Sequence, residues 1–273
     1  MRKYSHQLTI LFGLIKMTTQ MLMPISWGDK VINITLIGCG GTGSAMLTEL
    51  FQMNGILKAL GGKGIHVTAI DGDEVSTSNV FRQNFWAHDV GLNKAEVLIS
   101  RFNMFGDLNW DFIPTYITES SSLPSTDIVI TCVDKASVRL TINDVINSRM
   151  RHLDGYWLDL GNDNHTAQAY FGKALSGKEI PSPFDLFGSQ WETISETEHE
   201  VPSCSTEEAI AKQTFGINSM CAKSAASMLL FPFFRQGRLE HNGIFIDLHE
   251  ATTTRMNVDP IEWGFYGWKP TNN

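Results

Sequence analysis

The sequence predicts an α/β fold: a mostly parallel sheet flanked by helices, with a long crossover loop and an antiparallel C-terminal extension. Three observations predict it. Short apolar runs at residues 32–37, 65–70 and 127–132 read as strands buried on both faces. Stretches with helical spacing separate such runs, notably residues 93–105 (Val97, Leu98, Phe102, Phe105) and 138–150. A glycine turn, Gly38-Cys39-Gly40-Gly41-Thr42-Gly43, joins the first run to a helix over residues 44–52. Strand, glycine turn and helix in that order make a phosphate-binding junction of Rossmann-like type.

Taken in order, residues 1–30 form an N-terminal arm. The apolar run at residues 8–15, after Arg2 and Lys3, is too short to span a bilayer and has no clear cleavage site. An arm, or a start codon set too early with Met17, Met21 and Met23 as alternatives, is expected. The core occupies residues 31–174. Asn54-Gly55 ends the first helix, and residues 61–64 make a flexible turn. Residues 110–116 alternate as a strand, residues 157–160 form another ending at Gly161, and residues 166–172 return antiparallel. Residues 175–204 are the crossover loop. It carries Pro181, Pro183 and an acidic run at residues 192–200, and shows little periodicity. Residues 205–273 belong to the same domain. They hold a helix at 205–213, an apolar helix at 218–234 interrupted by Pro232, a hairpin of 243–248 with 251–257, and an aromatic tail at 263–268. That tail reads as a plug on the core or as a docking surface.

The chain has 273 residues, 42% hydrophobic and 18% charged, which is the composition of a soluble globular protein. A formal charge of −8 excludes a broad basic footprint for nucleic acid. No stretch is a membrane-span candidate. Cys39, Cys132, Cys204 and Cys221 form no C-x-x-C pair, which argues against a structural zinc and for a reducing, cytoplasmic compartment. The histidines show no ligand spacing.

Several side chains carry chemistry. Gly38, Gly40, Gly41 and Gly43 permit a phosphate to approach the backbone, or a strand and helix to pack closely. Asp71 ends the second strand, where a carboxylate accepts from ribose hydroxyls. Asp73 reads as a turn or capping residue. The fork of Arg82 suits phosphate oxygens. Lys94 opens a helix, opposes its dipole, and so calls for a compensating anion. Ser205 and Glu208 make a capping box, so Cys204 precedes a helix N-terminus that lowers a thiol pKa. Cys204 is thus a nucleophile or an inert thiol. Cys39, Cys132 and Cys221 read as core.

The ordered block from Asp71 through Asp73, Val75, Ser78, Asn79 and Arg82 to Gln83 resembles the ThiF/MoeB/ubiquitin-activating-enzyme family. That family carries D-x-D-x-V-x-x-S-N-l-x-R-Q after a G-x-G-G-x-G turn. The resemblance spans residues 32–161 and weakens toward 237. It implies that residues 31–174 are an adenylation core binding ATP and Mg²⁺. Asp71 would bind the ribose, Asn79 and Gln83 the nucleotide, and Arg82 the phosphates. Lys94, in Gly91-Leu92-Asn93-Lys94, would serve the phosphates and the charge developing at the α-phosphorus. Thr131-Cys132-Val133-Asp134-Lys135 resembles the family's D-x-x-D-N, which makes Asp134 the magnesium ligand and Arg139 the motif's downstream arginine. Thr131 and Lys135 depart from that pattern. Pro202-Ser203-Cys204-Ser205 resembles the thioester-forming cysteine motif, and also the Pro-Ser-Cys-Ser of ThiF relatives in PRTRC plasmid systems. The implied activity is adenylation of the C-terminal carboxylate of a ubiquitin-like or sulfur-carrier-like protein by a homodimer, with possible transfer to Cys204. The family also places an N-terminal arginine in the partner's site, and here only Arg2 precedes Arg82. The rivals are a degenerate nucleotide- or protein-binding module and an NAD-dependent oxidoreductase. The Ser78-Asn79 and Arg82-Gln83 pairs argue against the latter.

Overall fold

The computed structural model describes residues 20–149, 155–197 and 214–269. Among them an eight-stranded sheet runs β10-β9-β7-β6-β5-β2-β3-β4. β2 (Ile32–Ile37), β3 (Ile65–Ile70), β4 (Asp111–Ile113), β5 (Ile128–Thr131) and β6 (Tyr156–Asn162) pair in parallel. β7 (Thr166–Lys173), β9 (His241–Asp247) and β10 (Thr252–Asn257) extend it antiparallel. The β-branched runs fill the middle of the sheet because parallel strands must be apolar on both faces. Ile34, Leu36, Val67, Val129, Ile130 and Leu158 are accordingly buried.

α1 (Gly41–Ala59), α2 (Lys94–Gly106), α3 (Ala136–Arg149), α4 (Pro183–Thr197), α5 (Ile217–Ala225), α6 (Phe231–Gln236) and α7 (Pro260–Gly264) complete the described framework. The long apolar helix expected at residues 218–234 is α5, a π-helical turn Ala226–Leu230, and α6. Pro232 lacks the N–H that would bond the carbonyl of Met228, so the ladder widens just before it. None of these helices is long and apolar enough to cross a membrane.

Four readings need correction. α1 does not stop at Asn54-Gly55. Asn54 is buried and its Oδ1 accepts from Ile65 N at 2.9 Å, so a poor helix former is kept by a tertiary bond. The helix ends instead before Gly61, at φ +87°. The strand expected at residues 110–116 is only β4. Trp110 turns away to donate its indole N–H to Ile65 O. The crossover segment is not irregular throughout, because α4 lies within it. Ser182 and Asp185 cap α4 reciprocally, with Ser182 N on Asp185 Oδ2 at 2.8 Å and Asp185 N on Ser182 Oγ at 3.1 Å. Leu186, Phe187 and Trp191 bury its inner face, while its acidic half faces solvent. Finally, the arm is not wholly separate. β1 (Met21–Leu22) pairs with β8 (Arg238–Leu239), and Trp27 packs edge-on against Tyr156 and Phe233.

In the tail, Trp263 is fully buried against Trp268, and Tyr266 stacks on Phe245. These residues plug the core beside β9, while Phe265 stays exposed. The expected helix at residues 205–213 lies outside the described residues.

Candidate active site

The C-terminal ends of β2, β3, β5 and β6 open on one cavity of about 1080 Å³. Ligands of open parallel sheets bind at this edge. Gly38, Gly40, Gly41, Asp71, Arg82, Gln83, Lys94 and Asp134 all border it. Asn79 and Gly43 are not among its lining residues. Asn79 Oδ1 instead accepts from Ser76 N at 3.0 Å and closes its own loop. Cys204 lies outside the described residues.

The four glycines have different physical duties. A Cβ on Gly43 would sit 1.8 Å from Gly38 O, so Gly43 lets the turn close on its own helix. Gly38, at φ +92°, passes against Cys132 O. Gly41 is crowded by the Asn218 side chain. Gly40 is open, with nothing nearer to an added Cβ than Gln83 Nε2 at 4.0 Å. Gly40, at the N-cap of α1, has no side chain to cap the helix. The first-turn N–H groups and the positive end of a 19-residue helix therefore border the cavity with no carboxylate cap.

Asp71 ends β3. Its Oδ2 accepts from Cys39 N at 2.5 Å and its Oδ1 from Asp73 N at 2.8 Å. Burial pushes its pKa up, and the two N–H bonds offset this only in part. Lys94 begins α2, which Asn93 caps through Glu96 N. The lysine is 7% exposed and reaches back 2.8 Å to Asp73 Oδ2. The compensating anion expected for Lys94 is thus Asp73, whose Oδ1 also accepts from Tyr116 OH at 2.7 Å. Partial burial pushes the Asp73 pKa up, but these partners outweigh it and hold the carboxyl below its ordinary value. The sequence alone reads Asp73 as a turn or capping residue, not as the partner of Lys94. The D-x-D spacing was the available signal, since it puts both carboxylates at one strand end.

The loop bearing Arg82 is pinned at two points just after it. Asn84 N and Nδ2 bond Ser44 Oγ and Ser44 O at 3.2 and 3.1 Å. Arg101 ion-pairs with buried Asp89 at 2.6 Å and stacks over Trp86 with 3.7 Å to the ring centroid. Just before these anchors, Phe81 takes φ +71° and is 99% exposed. Arg82 Nε and Gln83 Oε1 are buried and make no hydrogen bond among the described residues. A donor and an acceptor left so at a cavity wall suit a polar ligand that satisfies both.

Beyond β5, Asp134 and Lys135 are exposed on the cavity wall. Behind them Thr131 Oγ1 donates to Asp159 Oδ1 at 2.5 Å, and Arg139 Nε donates to the same oxygen at 2.9 Å. Arg139 Nη2 reaches Leu160 O at 3.0 Å, and its guanidinium lies 5.7 Å from the Trp191 ring centroid. Asp159, Asn162 and Trp191 were not recognised from the sequence. The other end of the cavity is lined by Gln168, Gln190, Ile194, Phe245 and Thr254. Cys39 and Cys221 are buried, and burial raises all three described thiol pKa values, Cys221 to about 12. These thiols are core groups, as expected.

The sheet and its phosphate-type turn define a Rossmann-like α/β protein. A family model described as the ThiF family matches residues 30–261, and the chain belongs to that family. The adenylyltransferase and sulfurtransferase UBA4 of Yarrowia lipolytica is 34% identical over 119 residues, 41% of this chain and 27% of that protein. Selenomethionyl PaaA shares the fold with a TM-score of 0.59 at 13% identity, over 83% of this chain and 64% of that one. E. coli MccB with ATP does so with a TM-score of 0.55 at 18% identity, over 84% of this chain and 65% of that one. The chain thus spans less than two thirds of the length of each of these relatives.

Proposed function

We propose that the chain adenylates the C-terminal carboxylate of a small ubiquitin-like or sulfur-carrier-like protein. The carboxylate oxygen attacks the α-phosphorus of ATP, the bond from that phosphorus to the leaving oxygen breaks, and pyrophosphate departs. The chemistry needs positioning and charge neutralisation rather than a strong base. One observation carries the reading: among the described residues, buried Arg82 Nε and Gln83 Oε1 stand without partners beside the open Gly40 turn. A nucleotide polyphosphate supplies acceptors for the arginine and for the first turn of α1.

In this reading Asp71 takes the ribose, Arg82 the phosphates, and Lys94 the charge developing at the α-phosphorus. Asp134 would hold Mg²⁺, which supplies charge neutralisation at the phosphates. Its exposed carboxylate on the cavity wall is a hard oxygen donor of the right kind. Membership of the ThiF family supports the reading, as does MccB, a protein of similar fold solved with ATP and with AMPCPP and MccA. Cys204 is the thiol assigned to a following step, because Pro202-Ser203-Cys204-Ser205 resembles the thioester-forming cysteine motif. Its thiolate would attack the acyl carbonyl, form a thioester and release AMP. A cytoplasmic homodimer completes the proposal, and the Pro202-Ser203-Cys204-Ser205 stretch is similar to that of ThiF relatives in PRTRC systems. A degenerate binding module is the second reading, favoured by Lys135 on the cavity wall.

The test is exchange of labelled pyrophosphate into ATP by the purified protein with Mg²⁺ and a small ubiquitin-like or sulfur-carrier-like protein with a free C-terminal carboxylate. Carrier-dependent exchange is expected, lost in Asp134→Ala and kept in Cys204→Ala. Failure of exchange across a panel of such carriers, with ATP binding intact, would favour the binding module.

A further inference from the structure

Three elements meet at the mouth of the glycine turn: the first turn of α1, the end of β6 and the start of α5. One hydroxyl joins them. Thr42 Oγ1 lies 2.8 Å from Asn162 Oδ1 and 2.9 Å from Asn218 Oδ1, and all three side chains border the cavity. Thr42 is buried within α1. Asn162 is the last residue of β6, where the parallel half of the sheet ends. The one hydroxyl proton is shared between the two amide oxygens, and with its carboxamide oxygen turned to Thr42, Asn162 has no protein partner for Nδ2 among the described residues. Two N–H donors are therefore left at the cavity beside the N-terminus of α1, whose N-cap residue Gly40 has no side chain.

We propose that Asn162 is a binding residue for the α-phosphoryl group of the nucleotide, held in orientation by Thr42. The inference rests on the nucleotide reading above and adds a residue to it. An anion at the first turn of α1 meets backbone N–H groups from one side and the Asn162 carboxamide from the β6 side. The β6 side also borders the half of the cavity lined by Gln168, Gln190 and Thr254, which is left for the acyl substrate. Asn162 thus stands between the two reactants and can stabilise the charge that grows on the α-phosphoryl oxygens during attack. Thr42 is a positioning residue, because it reaches the ligand through Asn162.

The experiment is calorimetric binding of adenosine, AMP and Mg-ATP to the wild-type chain and to variants. Asn162→Ala should weaken AMP and Mg-ATP by about tenfold, the value of one charge-assisted hydrogen bond, and leave adenosine unchanged. Asn162→Asp should weaken AMP and Mg-ATP further, because it sets a carboxylate against a phosphate. Thr42→Val should give part of the Asn162→Ala loss, and Thr42→Ser should restore it. A merely structural role would weaken adenosine equally with AMP, which would overturn the assignment, as would wild-type AMP affinity in Asn162→Asp. If the wild-type chain bound none of the three, the nucleotide reading itself would fall, and this assignment with it. Wild-type binding with no loss in Asn162→Ala removes only Asn162.

Discussion

Thr131 and Asp159 are register partners across β5 and β6, and the threonine hydroxyl donates to the carboxylate at 2.5 Å. The family pattern puts an aspartate where Thr131 stands. Here a carboxylate comes from the neighbouring strand instead, and it holds Arg139 through Nε at 2.9 Å. Trp157 Nε1 donates to Thr131 Oγ1 at 2.8 Å, so the hydroxyl both accepts and donates. The nearest carboxylate to residue 131 in this register is thus one strand away.

That arrangement predicts a rescue. Asp159→Ala strands the Arg139 guanidinium in a buried setting and should cost about 3 kcal/mol in urea unfolding. Thr131→Asp alone should also destabilise, by setting two carboxylates against each other. The exchange Thr131→Asp with Asp159→Thr should recover most of the loss. An exchange variant no more stable than its parents would show that the two positions are not interchangeable.

The glycines separate fold from binding. Gly43→Ala should destabilise by about 3 kcal/mol or fail to fold, because its Cβ would overlap Gly38 O. Gly40→Ala, at φ −72° with open space beside it, should fold with a wild-type melting temperature. It should still weaken Mg-ATP, because its methyl group enters the cavity. A wild-type affinity in a folded Gly40→Ala protein would move the phosphate away from that turn.

Asp71 and Asp73 should give opposite pH dependences. Burial raises Asp71 above 3.8, so its contribution favours the fold below that pH and is lost as pH rises through the native value. Asp73 is burdened by burial but lowered overall by Lys94 and Tyr116. Its contribution is present above 3.8 and is lost as pH falls through the native value. Unfolding midpoints against pH for the wild type, Asp71→Asn and Asp73→Asn should therefore diverge in opposite directions. Slopes of the same sign would contradict the ion pair or the burial.

Much of this was legible in the chain. The apolar strands and the glycine turn follow from local composition, and Asp71, Arg82, Lys94 and Asp134, each in an ordered block of sequence, all border the cavity. What escaped was set by tertiary contact. Asn54 stays helical because Ile65 N bonds it from 11 residues away. α4 was hidden by Pro181, Pro183 and an acidic run, although the Ser182-x-x-Asp185 box and Pro183 in the first turn were readable helix signals. Asp159 and Asn162 carry no motif, and only strand register brings them to Thr131 and Thr42. Asn79 matched the motif, yet its side chain serves its own loop.

The most direct measurement is thermal unfolding with Mg-ATP, with NAD and with neither. Mg-ATP at a hundred times its dissociation constant should add about 2.7 kcal/mol of stability, and this should vanish in Arg82→Ala. Stabilisation by NAD alone, or by neither nucleotide, would contradict the account.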